Sequence, residues 1–509
     1  MTTVEINDEV DPMRQAQGGQ GRARPVRNAS YLAIANAGSR VFSLLFVVYA
    51  SRALQPGPMG IYTNVTGLVA LFGVITDLGL GTFAVRDVSV NRGLAVRYVS
   101  NLLAIRLLLS FVCLALIVVL AQVLFPPYTR DAAYVFALTL VPQAVSNTLQ
   151  LAFQFSERLS YSAVLTIVGT ATTSIFGLVV LALGHAVLAL VTVSAVVAAV
   201  TAVITAWIVY ARFLPRRLEL DPRWWPALLA GALPFVVLTF ANVLYNQADR
   251  QILYVLSGCA HHAPKVGCVP TGEYGVAYRP LDILVSIFVG SANAAVLPTF
   301  MRLGGESRQT LVRLIRMSAT LAFIFGAPIA LLTTFFATEA LHVVGGKRYL
   351  DAAPALGILI WTFPCVLLLT MLYNALYAVH KQKVVTVSFI ITLVFNVVLN
   401  IIFIPRFSYY ASAAITVASE VVNGVIVLYV LRRALGPLGL AAPALRVGAI
   451  IVLTTLVLWL LHPYGILVGL PVGIVVILLG LRVSRVVGPE EQEILGRMPL
   501  FGRYARLLS

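Results

Sequence analysis

Charge is scarce in this chain, and acid is scarcer than base. Of 509 residues only 11% are charged, with 20 acids against 36 bases. So little charge cannot cover the surface of a soluble domain of this size, and a mean hydropathy of +0.92 excludes one. Four cysteines are too few for a disulfide-built secreted scaffold. The chain also lacks a Walker motif, a nucleophile triad and a metal cluster with usable spacing. Its hinges are short, and the first of them, "QPGPMG", carries no acid. A polytopic glycosyltransferase or polymerase needs catalytic carboxylates or a sizeable extramembrane domain, so the enzyme reading is disfavoured, as is an ATP-driven pump.

What is present is hydrophobic length. Residues are 60% hydrophobic, and apolar runs recur from Tyr31 to Val483 between short hinges carrying Pro, Gly or charge. About fourteen such runs of roughly 20 residues predict an all-α polytopic membrane protein, since lipid satisfies no backbone polar group and forces helix. The net charge of +16 follows topology, not nucleic acid. With the N-terminus inside, alternate hinges hold Arg22, Arg24 and Arg27; Arg86, Arg92 and Arg97; Arg158; Arg212, Arg216 and Arg217; Arg302, Arg308, Arg313 and Arg316; Lys381 and Lys383; Arg432 and Arg433. The positive-inside rule then places both termini in the cytoplasm and the protein in the cell membrane. Residues 1–29 read as a basic disordered tail that can touch lipid headgroups, and 487–509 as a cytoplasmic tail. The first apolar stretch is too long for a cleavable signal and is expected to remain as the first helix.

The chain also repeats itself. The hinge "YASRALQPGPMGIYTNV" is echoed by "NQADRQILYVLSG" and "TGEYGVAYRPLD": a small residue, a polar residue and arginine (Ala50, Ser51, Arg52; Ala248, Asp249, Arg250), then glycine beside tyrosine (Gly60, Tyr62; Gly272, Tyr274). A second echo links "FQFSERLSYSAVLTIVG" to "LYAVHKQKVVTVSFIIT". Six helices per copy predict two pseudo-symmetric bundles in the same orientation, 30–217 and 218–435, with two added helices in 436–486.

Three stretches carry a family resemblance: "SRALQPGPMGIYTNVTGLVALFGVITDLGLGTFAVRD"; "ADRQILYVLSG" with "TGEYGVAYRPLD" and "LPTF"; and "NVVLNIIFIPRFSYYASAAITVASE". In them the chain resembles the polysaccharide transporter branch of the multidrug/oligosaccharidyl-lipid/polysaccharide exporter superfamily. "SYYASAA" departs from that family's Gly-rich turn. The resemblance implies a flippase that moves polyprenyl-diphosphate-linked oligosaccharide from the cytoplasmic to the outer leaflet by alternating access, for surface polysaccharide assembly. It also implies partner glycosyltransferases or a polymerase, and a monomer is expected. A multidrug or cation exporter of the same superfamily is the alternative, because fold alone does not fix cargo.

Polar residues inside the spans are the candidate sites. Arg40, Asp77 and Arg106 each fall about 10–14 Å from one face at 1.5 Å per residue. Two arginines around one aspartate suit a diphosphate, which makes Arg40 and Arg106, with Arg250, the diphosphate candidates; in the competing reading Arg40 pairs with Asp77 and Arg106 snorkels to the interface, both only fixing helix packing. Gln143, Asn147, Gln150 and Gln154 share one helix face and could line a sugar path, as could Asn36, Asn396 and Asn400; interhelical hydrogen bonding is the other reading. Asp77, Asp249, Asp282 and Glu420 are candidates for coupling transport to H⁺ or Na⁺, with structural pairing as the competitor. No other cofactor is expected. Cys259 and Cys268 flank "AHHAPKVG" in a hinge placed outside, where a disulfide is favoured over a zinc site with His261 and His262. Cys113 and Cys365 lie in apolar spans and read as packing residues.

Overall fold

The computed structural model describes residues 35, 37–215, 217, 219–259, 267–303, 308–484 and 486. Asn36, the two tails 1–29 and 487–509, and the His261/His262 pair lie outside these. Every regular element among the described residues is helical. In chain order they are α1 (37–53), α2 (Pro56–Asp77), α3 (Leu80–Val90), α4 (Ala95–Leu124), α5 (Pro127–Ala137), α6 (Leu140–Phe155), α7 (Leu159–Ala182) and α8 (Val187–Arg212). Then follow α9 (Trp225–Leu256), α10 (Val269–Leu303), α11 (Arg308–Phe335), α12 (Ala337–Val344), α13 (Ala353–Leu359), α14 (Thr362–Ala378), α15 (Gln382–Leu435), α16 (Ala441–Leu461) and α17 (Ile466–Val483). Ten helical stretches of the described residues are long and apolar enough to cross a membrane. Large apolar side chains such as Phe111, Trp207, Trp459 and Leu467 are exposed, as lipid-facing residues are.

Three of these stretches are broken inside their apolar length, one of them at Ile360 and Trp361 between α13 and α14; the other two breaks lie in the first half of the chain. After Asp77, Leu78 (φ 45°) and Gly79 (φ 61°) take left-handed backbone and end α2, and α3 restarts at Leu80. Leu138 and Thr139 interrupt α5 and α6. Backbone freed in this way is tolerated at membrane depth only where protein or a polar cavity receives it. Both breaks therefore mark places where the interior is not lipid-like.

A further irregularity is a reversal. Over 54 residues α15 contains Pro405 and, at Ser408, a backbone of φ 52° and ψ −139°. Hydrogen bonds from Asn396 Nδ2 to Ser419 Oγ (3.1 Å) and from Ser412 Oγ to Asn400 Oδ1 (3.0 Å) fold its two arms into a hairpin. "SYYASAA" turns here without a glycine, so Ser408 occupies a conformation that favours one.

Contacts divide the chain into two units: residues 1–47, 72–119 and 133–236, and residues 48–71, 120–132 and 237–509. The division thus runs through helices, unlike the sequential boundary at 217/218. Residues 219–236 join the first unit for a local reason. Asp221 accepts from Arg97 (2.6 Å) and from the Arg223 backbone N–H, while Asn101 Oδ1 accepts from Trp225 Nε1 (3.0 Å). Leu228 and Ala232 then enter the core formed by Leu80, Ala84, Tyr98, Leu102, Ile105 and Leu151.

Within the second unit the repeated hinges meet. A methyl group at Gly60 would stand 1.8 Å from the Cys268 carbonyl oxygen, and one at Gly272 would stand 1.9 Å from the Pro56 carbonyl oxygen. The contact is reciprocal, as a pseudo-two-fold relation between the copies requires. The Cys268 backbone N–H donates to Gly57 O (3.1 Å), and Cys268 is tied to Cys259 by a disulfide. Arg52 donates to Val343 O (2.6 Å) and Tyr349 to Leu54 O (3.1 Å) in the same unit.

Gly60→Ala is expected to lower the melting midpoint of the detergent-solubilised protein, by roughly the 1–3 kcal/mol of an overpacked core or more, because the obstacle is backbone. Gly424→Ala, where no atom lies within 4 Å, serves as the control and should hold or raise the midpoint. Ser408→Gly should raise it by about 1 kcal/mol through relief of the positive φ.

Candidate functional site

The first unit contains a polar pocket of about 380 Å³ lined by Asp77, Thr82, Arg106, Asn147, Gln150 and Gln154, with Gly81, Val85 and Leu151. Its origin is local. The Leu78–Gly79 break leaves Asp77 as the last residue of α2, where the helix dipole is unfavourable to a carboxylate. Arg106, on α4, answers that charge: one terminal nitrogen donates to Asp77 Oδ1 and the other to Thr148 Oγ1 (3.1 Å). Gly81 leaves the room, since a Cβ there would stand 3.1 Å from the guanidinium. Arg106 is 2% exposed and Asp77 is 43% exposed.

On α6, Asn147, Gln150 and Gln154 follow helical spacing i, i+3, i+7 and line this pocket. Gln150 also accepts from Ser162 Oγ (2.7 Å). Gln143, the fourth member of the stripe, is exposed and is not part of the lining. Of the expected arginine layer the structure joins Arg106 to Asp77; Arg40 is exposed and lies outside the lining. Arg106 is thus held as a buried ion-pair partner of Asp77, with its Nε unpartnered among the described residues. An unpaired guanidinium at that depth would cost several kcal/mol.

The second unit holds a separate cluster of buried charge. Tyr274 donates to Asp249 Oδ2 (2.6 Å) and stands 3.3 Å from Thr416 Oγ1, while the Arg250 backbone N–H donates to Asp249 Oδ1 (2.8 Å). Tyr245 donates to Glu420 Oε1 (2.9 Å). Both carboxylates are buried and each is met by a tyrosine hydroxyl. Asp282 lies between two guanidiniums without a close bond to either, 3.9 Å from Arg250 and 3.6 Å from Arg279. Arg250 also lies over the Tyr278 ring, 4.4 Å from its centroid. The Nε atoms of Arg250 and Arg279 are buried without a hydrogen-bond partner among the described residues. Tyr278 is within electrostatic reach of Asp249, Arg250, Asp282 and Glu420, so these charges form one group.

Asn396 and Asn400 lie within the α15 hairpin. Both are buried, Asn400 Nδ2 donates to Asn396 Oδ1 (3.0 Å), and their remaining groups go to Ser419 and Ser412. They zip the hairpin, the interhelical hydrogen bonding that is the other reading of these asparagines. Asn423 likewise donates to the Tyr373 hydroxyl (2.6 Å). Sequence reasoning missed Arg279, although its place three residues before Asp282 in an apolar helix was a readable signal. It also missed Tyr245 and Tyr278, which give no such signal, because a tyrosine in an apolar run reads as packing.

Asp77→Ala should destabilise the protein by on the order of 2 kcal/mol, less than the 3–5 kcal/mol of a fully buried broken pair because Asp77 is half open. Adding Arg106→Leu should recover most of that loss. Heat-induced aggregation midpoints of the two single variants and the double variant measure the cycle.

Residues 26–304 match the family of polysaccharide biosynthesis proteins, and residues 264–402 match the MatE family. Among solved structures, the Lipid II flippase MurJ in an inward closed conformation superposes with a TM-score of 0.73 at 12% identity, over 89% of this chain and 98% of that one. An inward-facing multidrug resistance MATE family transporter superposes with a TM-score of 0.59 at 14% identity, over 78% of this chain and 94% of that one. At these identities the likeness is one of fold. An uncharacterized membrane protein of Methanocaldococcus jannaschii is 24% identical over 195 residues, so the match spans 38% of this chain and 38% of that relative. The chain belongs to the polysaccharide biosynthesis protein family, and its ten helical stretches long and apolar enough to cross a membrane, counted among the described residues, make it a multi-pass membrane protein.

Proposed function

We propose that this protein is a flippase for a lipid-linked oligosaccharide, carried on a polyprenyl diphosphate from the cytoplasmic to the outer leaflet by alternating access. The observation that carries the reading is the polar pocket of the first unit. Three carboxamides and a hydroxyl line a cavity of about 380 Å³ in a chain built for lipid, and neutral donors and acceptors at that density suit sugar hydroxyls. Its volume lies within the roughly 300–1,000 Å³ range of small-ligand sites, so it would hold part of a saccharide. The fold shared with a Lipid II flippase supports the same reading.

For the phosphates, support comes from the second unit. Arg250 and Arg279 share Asp282 at distances beyond hydrogen bonding, and their buried Nε donors are unspent. A diphosphate offers the bidentate acceptors that guanidiniums bind best. The same group supports ion coupling: the three carboxylates of Asp249, Asp282 and Glu420 face two guanidiniums, an excess of one negative charge that a proton or Na⁺ would balance. In this reading both termini face the cytoplasm, the protein acts as a monomer in the cell membrane, and glycosyltransferases or a polymerase make and consume its cargo.

That excess of acid also fits the second reading, export of a cationic drug, so the test includes both cargos. In proteoliposomes the protein should move a fluorescent polyprenyl-diphosphate oligosaccharide and not a cationic dye. Arg279→Ala should slow lipid movement about 10- to 100-fold, the loss of one or two strong charge-assisted hydrogen bonds. Dye movement without lipid movement would establish the exporter instead.

A further inference from the structure

The pocket of the first unit contains one positive and one negative side chain, but it does not present them equally. The Arg106 guanidinium is 2% exposed. Its two terminal nitrogens are committed to Asp77 and Thr148. Its Nε is buried without a hydrogen-bond partner among the described residues, and the missing Cβ of Gly81, which would stand 3.1 Å from a terminal nitrogen, leaves the guanidinium its room. Asp77 keeps 43% of its side chain exposed. An occupant among Thr82, Asn147, Gln150 and Gln154 therefore meets a carboxylate whose counter-ion is behind it.

We propose that this pocket is a saccharide subsite in which Asp77 is the charge that touches the cargo, selecting sugar units that offer hydroxyl, amide or ammonium donors and rejecting those that carry a carboxylate. The inference rests on the flippase reading and adds a substrate class to it. A carboxylate accepts from two vicinal hydroxyls as readily as from one guanidinium fork. The carboxamides of Asn147, Gln150 and Gln154 supply both donors and acceptors around it. A uronic acid placed there would set two carboxylates against each other, with the Arg106 guanidinium buried and its terminal nitrogens held by Asp77 and Thr148. In a site of reduced dielectric that repulsion is large compared with the gain from a hydroxyl contact. Arg106 is a positioning residue in this arrangement: it fixes the Asp77 carboxylate at the end of α2 and lowers the cost of holding it in the membrane.

The test compares two cargos on one carrier, polyprenyl diphosphate bearing glucose and polyprenyl diphosphate bearing glucuronate, in proteoliposomes of the full chain. The wild-type protein is expected to move the glucose cargo about tenfold faster or more, and Asp77→Asn to narrow that ratio to about threefold or less. If the single variant does not fold, Asp77→Asn/Arg106→Gln leaves no charge unpaired and should give the same narrowing. Asp77→Glu keeps the charge and should keep the preference, which a merely structural role for Asp77 would not require. Equal movement of both cargos by the wild type, or a ratio unchanged in the neutral variants, would overturn the inference and leave the flippase reading standing. Movement of neither cargo would remove the flippase reading and this inference together.

Discussion

A charge inside a membrane has to be answered by another, and the polar interior of this protein is arranged around that requirement. Arg106 is the clearest case. Its guanidinium is 2% exposed and takes a carboxylate and a hydroxyl as partners. The carboxylate is available because α2 stops at Asp77, and α2 stops there because Leu78 and Gly79 take left-handed backbone. A glycine one turn on leaves the space for the guanidinium. The pocket follows from this pair: the broken helix opens it, and the amides of α6 line it.

The second unit meets the same requirement differently. Its carboxylates at Asp249 and Glu420 are answered by tyrosine hydroxyls, which are neutral. Hydrogen bonds from a neutral donor stabilise a buried carboxylate without cancelling its charge. The guanidiniums of Arg250 and Arg279 are answered by one shared aspartate at long range. Where the first unit is locked by a close pair, this group is loosely balanced, and loosely balanced charge is what a transporter can exchange for a ligand.

The duplication has a physical use in the second unit. Repeat-related glycines at 60 and 272 let two helix starts approach until backbone touches backbone. No side chain fits between them, and the adjoining strand of chain is held by the Cys259–Cys268 bridge. Two hinges of similar sequence make a reciprocal contact because the same short residues recur in both.

The helical, polytopic architecture was legible in the sequence because lipid leaves the backbone no alternative, and the two hinges that meet in the second unit were legible as echoes of each other from their shared glycine and tyrosine. The amide stripe of α6 was legible from helical spacing. Three of its four members line the pocket, and Gln143 falls outside because spacing fixes a face but not how far along it a cavity extends. Composition could not tell that Arg106 pairs with Asp77; packing brought them together. Nor could it separate asparagines that line a path from those that zip a hairpin, since both lie on a helix face within an apolar run. Asn396 and Asn400 were assigned by the reversal at Ser408, which no local pattern announces. What the sequence determined by itself is the number and kind of polar groups that must be hidden from lipid; the tertiary structure decided their partners, because pairing depends on distances between helices that are set only when they pack.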